Sequence, residues 1–157
     1  MVYDVLLVVS ALFALFHLLK MKDKFAKVIT LVLALSAGAN LAPSVIIQKD
    51  GFYLFALAHL LVFFYVFHNE EFSLKKKVVL FSMGLIQFAS IVSMLVPFEF
   101  TFFVMISAII TAIVFFYALL TDVQSYKEEL GFMVILAAFG ITYFLIGMNN
   151  TTGFAIG

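Results

Sequence analysis

A single histidine lies in a long apolar segment of this sequence. His59 falls within residues 53–64, and no charged residue accompanies it there. An imidazole can transfer protons near neutral pH, and ionisable groups at membrane depth usually face the interior of a helix bundle. His59 is therefore a candidate catalytic residue. The alternative is a neutral core histidine that hydrogen-bonds with Asn40 or Gln87 and performs no chemistry.

Polar residues line one face of the preceding segment. The residues spaced i, i+4, i+7 and i+8 on that face are Ser36, Asn40, Pro43 and Ser44. Asn40 offers both donors and acceptors, so we predict that it is the second catalytic residue, with Ser36, Ser44 and Gln87 binding the substrate. Pro43 frees a backbone carbonyl one turn upstream. The alternative is that these side chains only bond neighbouring helices, each bond contributing about 0.6 kcal/mol.

Small and polar residues recur later in the chain. The fourth apolar segment has a polar face made of Gln87, Ser90, Ser93 and Pro97, and the last segment carries Gly131, Gly140 and Gly147. Small residues let helices approach closely within a membrane. We therefore expect close helix contacts along the last segment.

The composition indicates a membrane protein. Of 157 residues, 66% are hydrophobic and 11% are charged, and the mean hydropathy is +1.22. Apolar runs recur, each long enough to cross a hydrocarbon core of roughly 30 Å as a helix. Cysteine is absent, which excludes disulfides, thiolate metal sites and cysteine nucleophiles.

Helices are the spanning form that these runs favour, because backbone groups in lipid must be hydrogen-bonded within the segment. We predict an all-α, polytopic membrane helical bundle of about six transmembrane helices, formed by residues 1–157 as a single transmembrane domain. The expected spans are residues 2–19, 28–47, 52–68, 78–97, 100–121 and 130–148.

The lysines predict the orientation of these spans. Eight of the nine lysines fall in the first, third and fifth connections, and the ninth is Lys49. The positive-inside rule assigns the lysine-rich side to the cytoplasm, so both termini are predicted to be non-cytoplasmic. The alternative is a patch that binds lipid headgroups.

Other ionisable residues are assigned to the same side. Asp122, Glu128 and Glu129 are predicted in a cytoplasmic loop, with the glutamates opening the last helix, where the helix dipole favours negative charge. His17 and His68 lie near the ends of the first and third spans, and a haem could be drawn between them. Histidines at span ends are more often interfacial, so we predict no metal and no cofactor.

The residues around His59 resemble a known family. Phe55-Ala-Leu-Ala-His-Leu-Leu61 is similar to the Phe-x-x-Ala-His-Leu-x segment of YhhN-like lysoplasmalogenases, eight-helix membrane proteins that include enzymes cleaving the vinyl ether of lysoplasmalogens. In that family a Ser-x-x-Gly-Asp pattern and a short loop precede the histidine helix. Here Ser36-Ala-Gly-Ala-Asn40 and Gln48-Lys-Asp-Gly-Phe52 stand in the same order. The resemblance implies a hydrolase with a lysolipid ligand.

The sequence departs from this family at the residues that would carry the reaction. The family's aspartate falls on Asn40, its glycine is displaced to Gly38, and no carboxylate occurs near Thr142 and Tyr143, where a second Ser-Asp pair is expected. Vinyl ether hydrolysis needs an acid to protonate the alkene carbon and a base to activate water, a task for carboxylates with separated pKa values. The resemblance therefore implies a divergent member with weak or lost activity.

Two other classes fit the same sequence. Proline-broken helices with polar faces also occur in small transporters and channel subunits, although Pro43 and Pro97 do not occupy corresponding positions in the two halves. A structural bundle without a ligand would contain His59 only as a hydrogen-bonded core residue. Membrane lipids are partners in every case. Nucleic acid is excluded as a partner, because arginine is absent and the net charge is zero.

Overall fold

The described part of the chain consists of helices and their connections. A computed structural model describes residues 2–84 and 101–152, and no strand occurs among them. The helices are α1 (Val2–Leu18), α2 (Lys24–Asn40), α3 (Val45–His68), α4 (Leu74–Met83), α5 (Thr101–Asp122) and α6 (Leu130–Thr152), with a 3-10 turn at Val123–Tyr126. The all-α prediction is confirmed over these residues.

Two of the described helical segments are long and apolar enough to cross a membrane, namely Val45–His68 and Met105–Tyr126. The segments Val2–Leu18 and Leu130–Thr142 are apolar but shorter. Membrane association is supported by these segments, whereas a bundle of six crossings stays a prediction.

The boundary between α2 and α3 differs from the predicted one. The second span was expected to end at residue 47 and to be followed by a connection at residues 48–51, but α2 ends at Asn40 and α3 already begins at Val45. Pro43 explains the early end, because it lacks an N–H and disfavours helical geometry in the residue before it. The chain turns there through bonds from the N–H groups of Leu41 and Ala42 to the carbonyls of Gly38 and Ala39, each 3.2 Å.

Helices α2 and α3 pack closely along a seam of regularly spaced residues. One stripe of buried residues on α3 recurs at intervals of four and three, at Gly51, Phe55, Ala58, Val62 and Tyr65, the spacing that keeps one face toward a partner helix. The two helices approach closely at Gly51, where an added Cβ would lie 2.8 Å from the Cβ of Ala39.

Helix α6 is the most enclosed helix of the described part. It packs against α1, α2, α4 and α5, and residues 131–140 are buried with the single exception of Val134. A Cβ added to Gly131 would lie 3.0 Å from Nδ1 of His17, whereas one at Gly140 would meet only atoms at 3.6 Å. The expected close helix contact is therefore present at Gly131, whereas the contact at Gly140 is of ordinary van der Waals length.

Three connections meet at one end of the bundle, which we call the lysine-rich end: residues 19–23, 69–73 and 123–129. Oε2 of Glu128 accepts hydrogen bonds from the backbone N–H groups of Lys22 at 2.7 Å and Asp23 at 3.0 Å. Nζ of Lys76 donates to the carbonyl of Ser125 at 2.7 Å. These bonds bring together the connections whose lysines set the predicted orientation.

Candidate functional site

A buried carboxylate lies at the lysine-rich end. Glu129 precedes the first residue of α6, and only 1% of its surface is exposed. Its Oε1 accepts a hydrogen bond from the hydroxyl of Tyr65 at 2.8 Å and forms an ion pair with Nζ of Lys76 at 2.8 Å. Glu129 does open α6 as expected, but it belongs to the core of the bundle.

Lys76 is held by aromatic rings as well as by the carboxylate. Its Nζ lies 4.1 Å from the ring centroid of Phe72 and 5.9 Å from that of Tyr126. Ring faces attract cations most strongly where water is excluded, and 16% of the Lys76 side chain is exposed. The Tyr65–Glu129–Lys76 network therefore fastens α3, α4 and α6 to one another at this end.

Only one oxygen of Glu129 takes part in this network. The other, Oε2, is buried and accepts no hydrogen bond from any residue of the described ranges. A carboxylate can accept about four hydrogen bonds. The buried carboxylate thus keeps the capacity to accept a further donor.

Tyr65 connects this network to a groove on the outside of the bundle. The groove lies between α2 and α3 at the lysine-rich end, and its volume is about 490 Å³; we call it the α2–α3 groove. Its apolar wall is formed by Phe25, Leu61 and Phe64. The ring of Tyr65 lines the groove and stacks on Phe25 with centroids 5.7 Å apart, while its hydroxyl bonds Glu129.

The polar residues of the groove are gathered at one end, where Asp23, His68 and Asn69 line it. Oδ1 of Asp23 accepts the N–H of Ala26 at 2.9 Å and so caps α2. From His68 back to Leu61 the helix axis advances by about 10 Å. The groove therefore changes from a polar to an apolar lining over about this distance.

The residues that the sequence singled out on α2 lie at the opposite end of the bundle. Oγ of Ser36 donates to the carbonyl of Gly51 at 2.7 Å, and Nδ2 of Asn40 donates to the carbonyl of Ser36 at 2.8 Å. Ser44 precedes α3 at its N-cap position, and its side chain makes no capping bond. Ser36 and Asn40 are thus brought together by a bond within α2, and the bond from Ser36 to Gly51 holds the end of α2 to the start of α3.

His59 lies farther along α3, about 12 Å beyond Gly51. It is buried, with 3% of its surface exposed, and meets the ring of Phe63 edge-on at 4.4 Å. It also lies beside Gly84, the residue that follows α4, where an added Cβ would lie 3.4 Å from its Cε1. The described residues do not place His59 in contact with Asn40, and Gln87 lies outside the described ranges.

The other two histidines occupy different surroundings. His17 packs beside Gly131 of α6, whereas His68 is exposed and lines the α2–α3 groove. Within residues 2–84 and 101–152, no group of three or more histidine or carboxylate side chains is placed to hold a metal ion.

The buried contact between Tyr65 and Glu129 was not predicted from the sequence. A signal for Tyr65 exists, because it continues the four-and-three spacing of Ala58 and Val62 on the buried face of α3. No comparable signal exists for Glu129, whose neighbour Glu128 has the same side chain and remains partly exposed. Their different surroundings arise from tertiary packing alone.

Comparison with protein-family models, with curated proteins and with solved structures gives no match for this chain. The class that the fold and the site define is therefore a helical protein with apolar helices of spanning length and a buried ion pair at one end. The resemblance to lysoplasmalogenases depends only on the residues around Ser36, Asn40 and His59 that were quoted above.

Proposed function

We propose that this chain is a multi-pass membrane protein that binds a single-chain lysolipid in the α2–α3 groove. Hydrolysis of a vinyl ether, the reaction implied by the resemblance to lysoplasmalogenases, is weak or lost. In this proposal six helices cross the membrane, the lysine-rich end faces the cytoplasm, and both termini lie on the other side.

The observation that carries the proposal is the change from polar to apolar lining along the groove. A lysolipid has one headgroup and one hydrocarbon chain. The headgroup would lie against Asp23, His68 and Asn69, and the chain would follow Leu61 and Phe64 toward the hydrocarbon interior. Ligand sites of this kind are mostly apolar with a few polar groups that set orientation.

Weak or lost hydrolysis follows from how the polar groups are used. The reaction needs an acid and a base at one place. Asn40 stands where the family has an aspartate, and its amide bonds the carbonyl of Ser36. The buried carboxylate of Glu129 is paired with Lys76 at the lysine-rich end, at the opposite end of the bundle from Asn40. These arrangements support binding without efficient chemistry.

The experiment compares two phenylalanines of α3. Phe64 lines the groove with 67% of its surface exposed, and Phe67 is 70% exposed but does not line the groove. Native mass spectrometry of protein titrated with lysophosphatidylethanolamine would measure the affinity of Phe64→Ala, with Phe67→Ala as the matched control. We expect Phe64→Ala to weaken binding about tenfold, or about 1.4 kcal/mol, and Phe67→Ala to leave it unchanged. Equal affinities in both variants would contradict the proposal.

A structural bundle without a ligand is the second candidate. It is favoured by the Tyr65–Glu129–Lys76 network, which stabilises helix packing and requires no substrate. The same titration separates the two candidates, because a purely structural bundle would show no saturable binding of a lysolipid to the wild type.

A further inference from the structure

A second groove lies on another side of the bundle, between α4 and α5. Its volume is about 530 Å³, and we call it the α4–α5 groove. Aliphatic side chains line most of its length, with Val78 and Val79 on α4 and Ile113 and Val114 on α5. None of the described residues that line it is acidic.

Lys75 and Tyr117 lie together where the groove approaches the lysine-rich end of the bundle. Nζ of Lys75 lies 5.2 Å from the ring centroid of Tyr117. The hydroxyl-bearing ring of a tyrosine is typical of the membrane–water interface, and a lysine there extends its ammonium group toward the headgroups. Both side chains are exposed.

Lys75 and its neighbour Lys76 differ in whether their charge is held in an ion pair. Lys76 is paired with Glu129, but Lys75 forms no ion pair with any residue of the described part. The charge of Asp122 interacts with that of Lys75, but Asp122 does not line the groove. A lysine that is not held in an ion pair therefore lies at one end of an apolar groove.

We propose that the α4–α5 groove binds one anionic phospholipid, with an acyl chain along Val78, Val79 and Ile113 and the phosphate on Lys75. Charge complementarity selects an anionic headgroup, because basic side chains next to a membrane attract anionic lipids. The aliphatic walls select a lipid over free phosphate, since phosphate has no apolar part to fill them. This site is separate from the α2–α3 groove and does not depend on lysolipid binding.

The test uses the full-length protein in micelles that contain equal amounts of phosphatidylglycerol and phosphatidylcholine. Native mass spectrometry reports which lipid remains bound to the wild type, to Lys75→Gln and to Lys77→Gln. The last variant is the matched control, because it removes the same charge from the same turn of α4 but not from the groove. We expect the wild type to prefer phosphatidylglycerol about fivefold, or about 1 kcal/mol. Lys75→Gln should remove this preference, and Lys77→Gln should retain it.

A second variant tests the apolar part of the site without a change of charge. Val78→Trp fills the groove from an exposed position, so it should reduce bound phosphatidylglycerol while thermal melting stays as in the wild type. Equal loss in Lys75→Gln and Lys77→Gln would show only diffuse attraction and would overturn the proposal. It would also be overturned if the wild type showed no preference, or if Val78→Trp bound as much lipid as the wild type.

Discussion

The ion pair between Lys76 and Glu129 yields an asymmetric prediction. Removing one partner of a buried pair leaves an uncompensated charge and costs about 3–5 kcal/mol of unfolding free energy. The two charges are not equally buried, since the exposed fraction of the side chain is 16% for Lys76 and 1% for Glu129. Lys76→Met strands the fully buried carboxylate, so we expect a loss near 5 kcal/mol. Glu129→Gln strands an ammonium group that can reach water, so we expect a loss near 3 kcal/mol.

The assay is reversible unfolding in mixed micelles, followed by the helical circular dichroism signal. Lys77→Met is the control, because it removes the neighbouring charge without touching the ion pair. The double variant Lys76→Met, Glu129→Gln should be more stable than the sum of the single losses predicts, by at least about 2 kcal/mol, because neither charge is then left alone.

Two results would refute this reasoning. One is a loss in Lys76→Met no larger than that in Lys77→Met, which would mean that the pair contributes nothing. The other is additivity of Lys76→Met and Glu129→Gln, which would mean that the two side chains do not stabilise each other.

Three further predictions concern other contacts. Gly51→Ala should lower the unfolding free energy by about 1–3 kcal/mol, because the added Cβ would lie 2.8 Å from that of Ala39. The control is Gly38→Ala, which has open space around the added Cβ and should be neutral or stabilising. Chemical denaturation measures both variants. Ser36→Ala removes one interhelical hydrogen bond and should cost about 0.6 kcal/mol in the same assay. Burial raises the pKa of Glu128, but two backbone N–H donors outweigh it and hold that pKa below its usual value of about 4.5. This carboxylate therefore stabilises the fold above that pH, and the stabilisation is lost as the pH falls through the lowered pKa. Thermal melts should show a smaller loss of stability in acid for Glu128→Gln than for the wild type.

Much of the helical organisation could be predicted from apolar runs and their breaks. The runs that start near Val2 and Leu130 predict the beginnings of α1 and α6 closely. The prediction was wrong between α2 and α3, where Gln48, Lys49 and Asp50 were assigned to a connection because they are polar. These residues form an early part of α3 instead, since Pro43 ends the preceding helix and a helix can start directly after the turn.

The site could be predicted only in part. Polar spacing on α2 placed Ser36 and Asn40 on one helical face, and Asn40 does donate to the carbonyl of Ser36; their predicted roles in catalysis and binding stay predictions. The Tyr65–Glu129–Lys76 network joins residues up to 64 positions apart, and no local pattern encodes such a contact. A glutamate at the start of a helix indicates a solvated end as readily as a buried ion pair.

The most direct test of lysolipid binding without hydrolysis is a single incubation of purified protein with an alkenyl lysophosphatidylethanolamine, in which bound intact lipid and released fatty aldehyde are measured together. We expect the wild type to retain the intact lipid, Phe64→Ala to retain much less, and little aldehyde to be released by either. Rapid release of aldehyde by the wild type, or no retained lipid, would contradict this expectation.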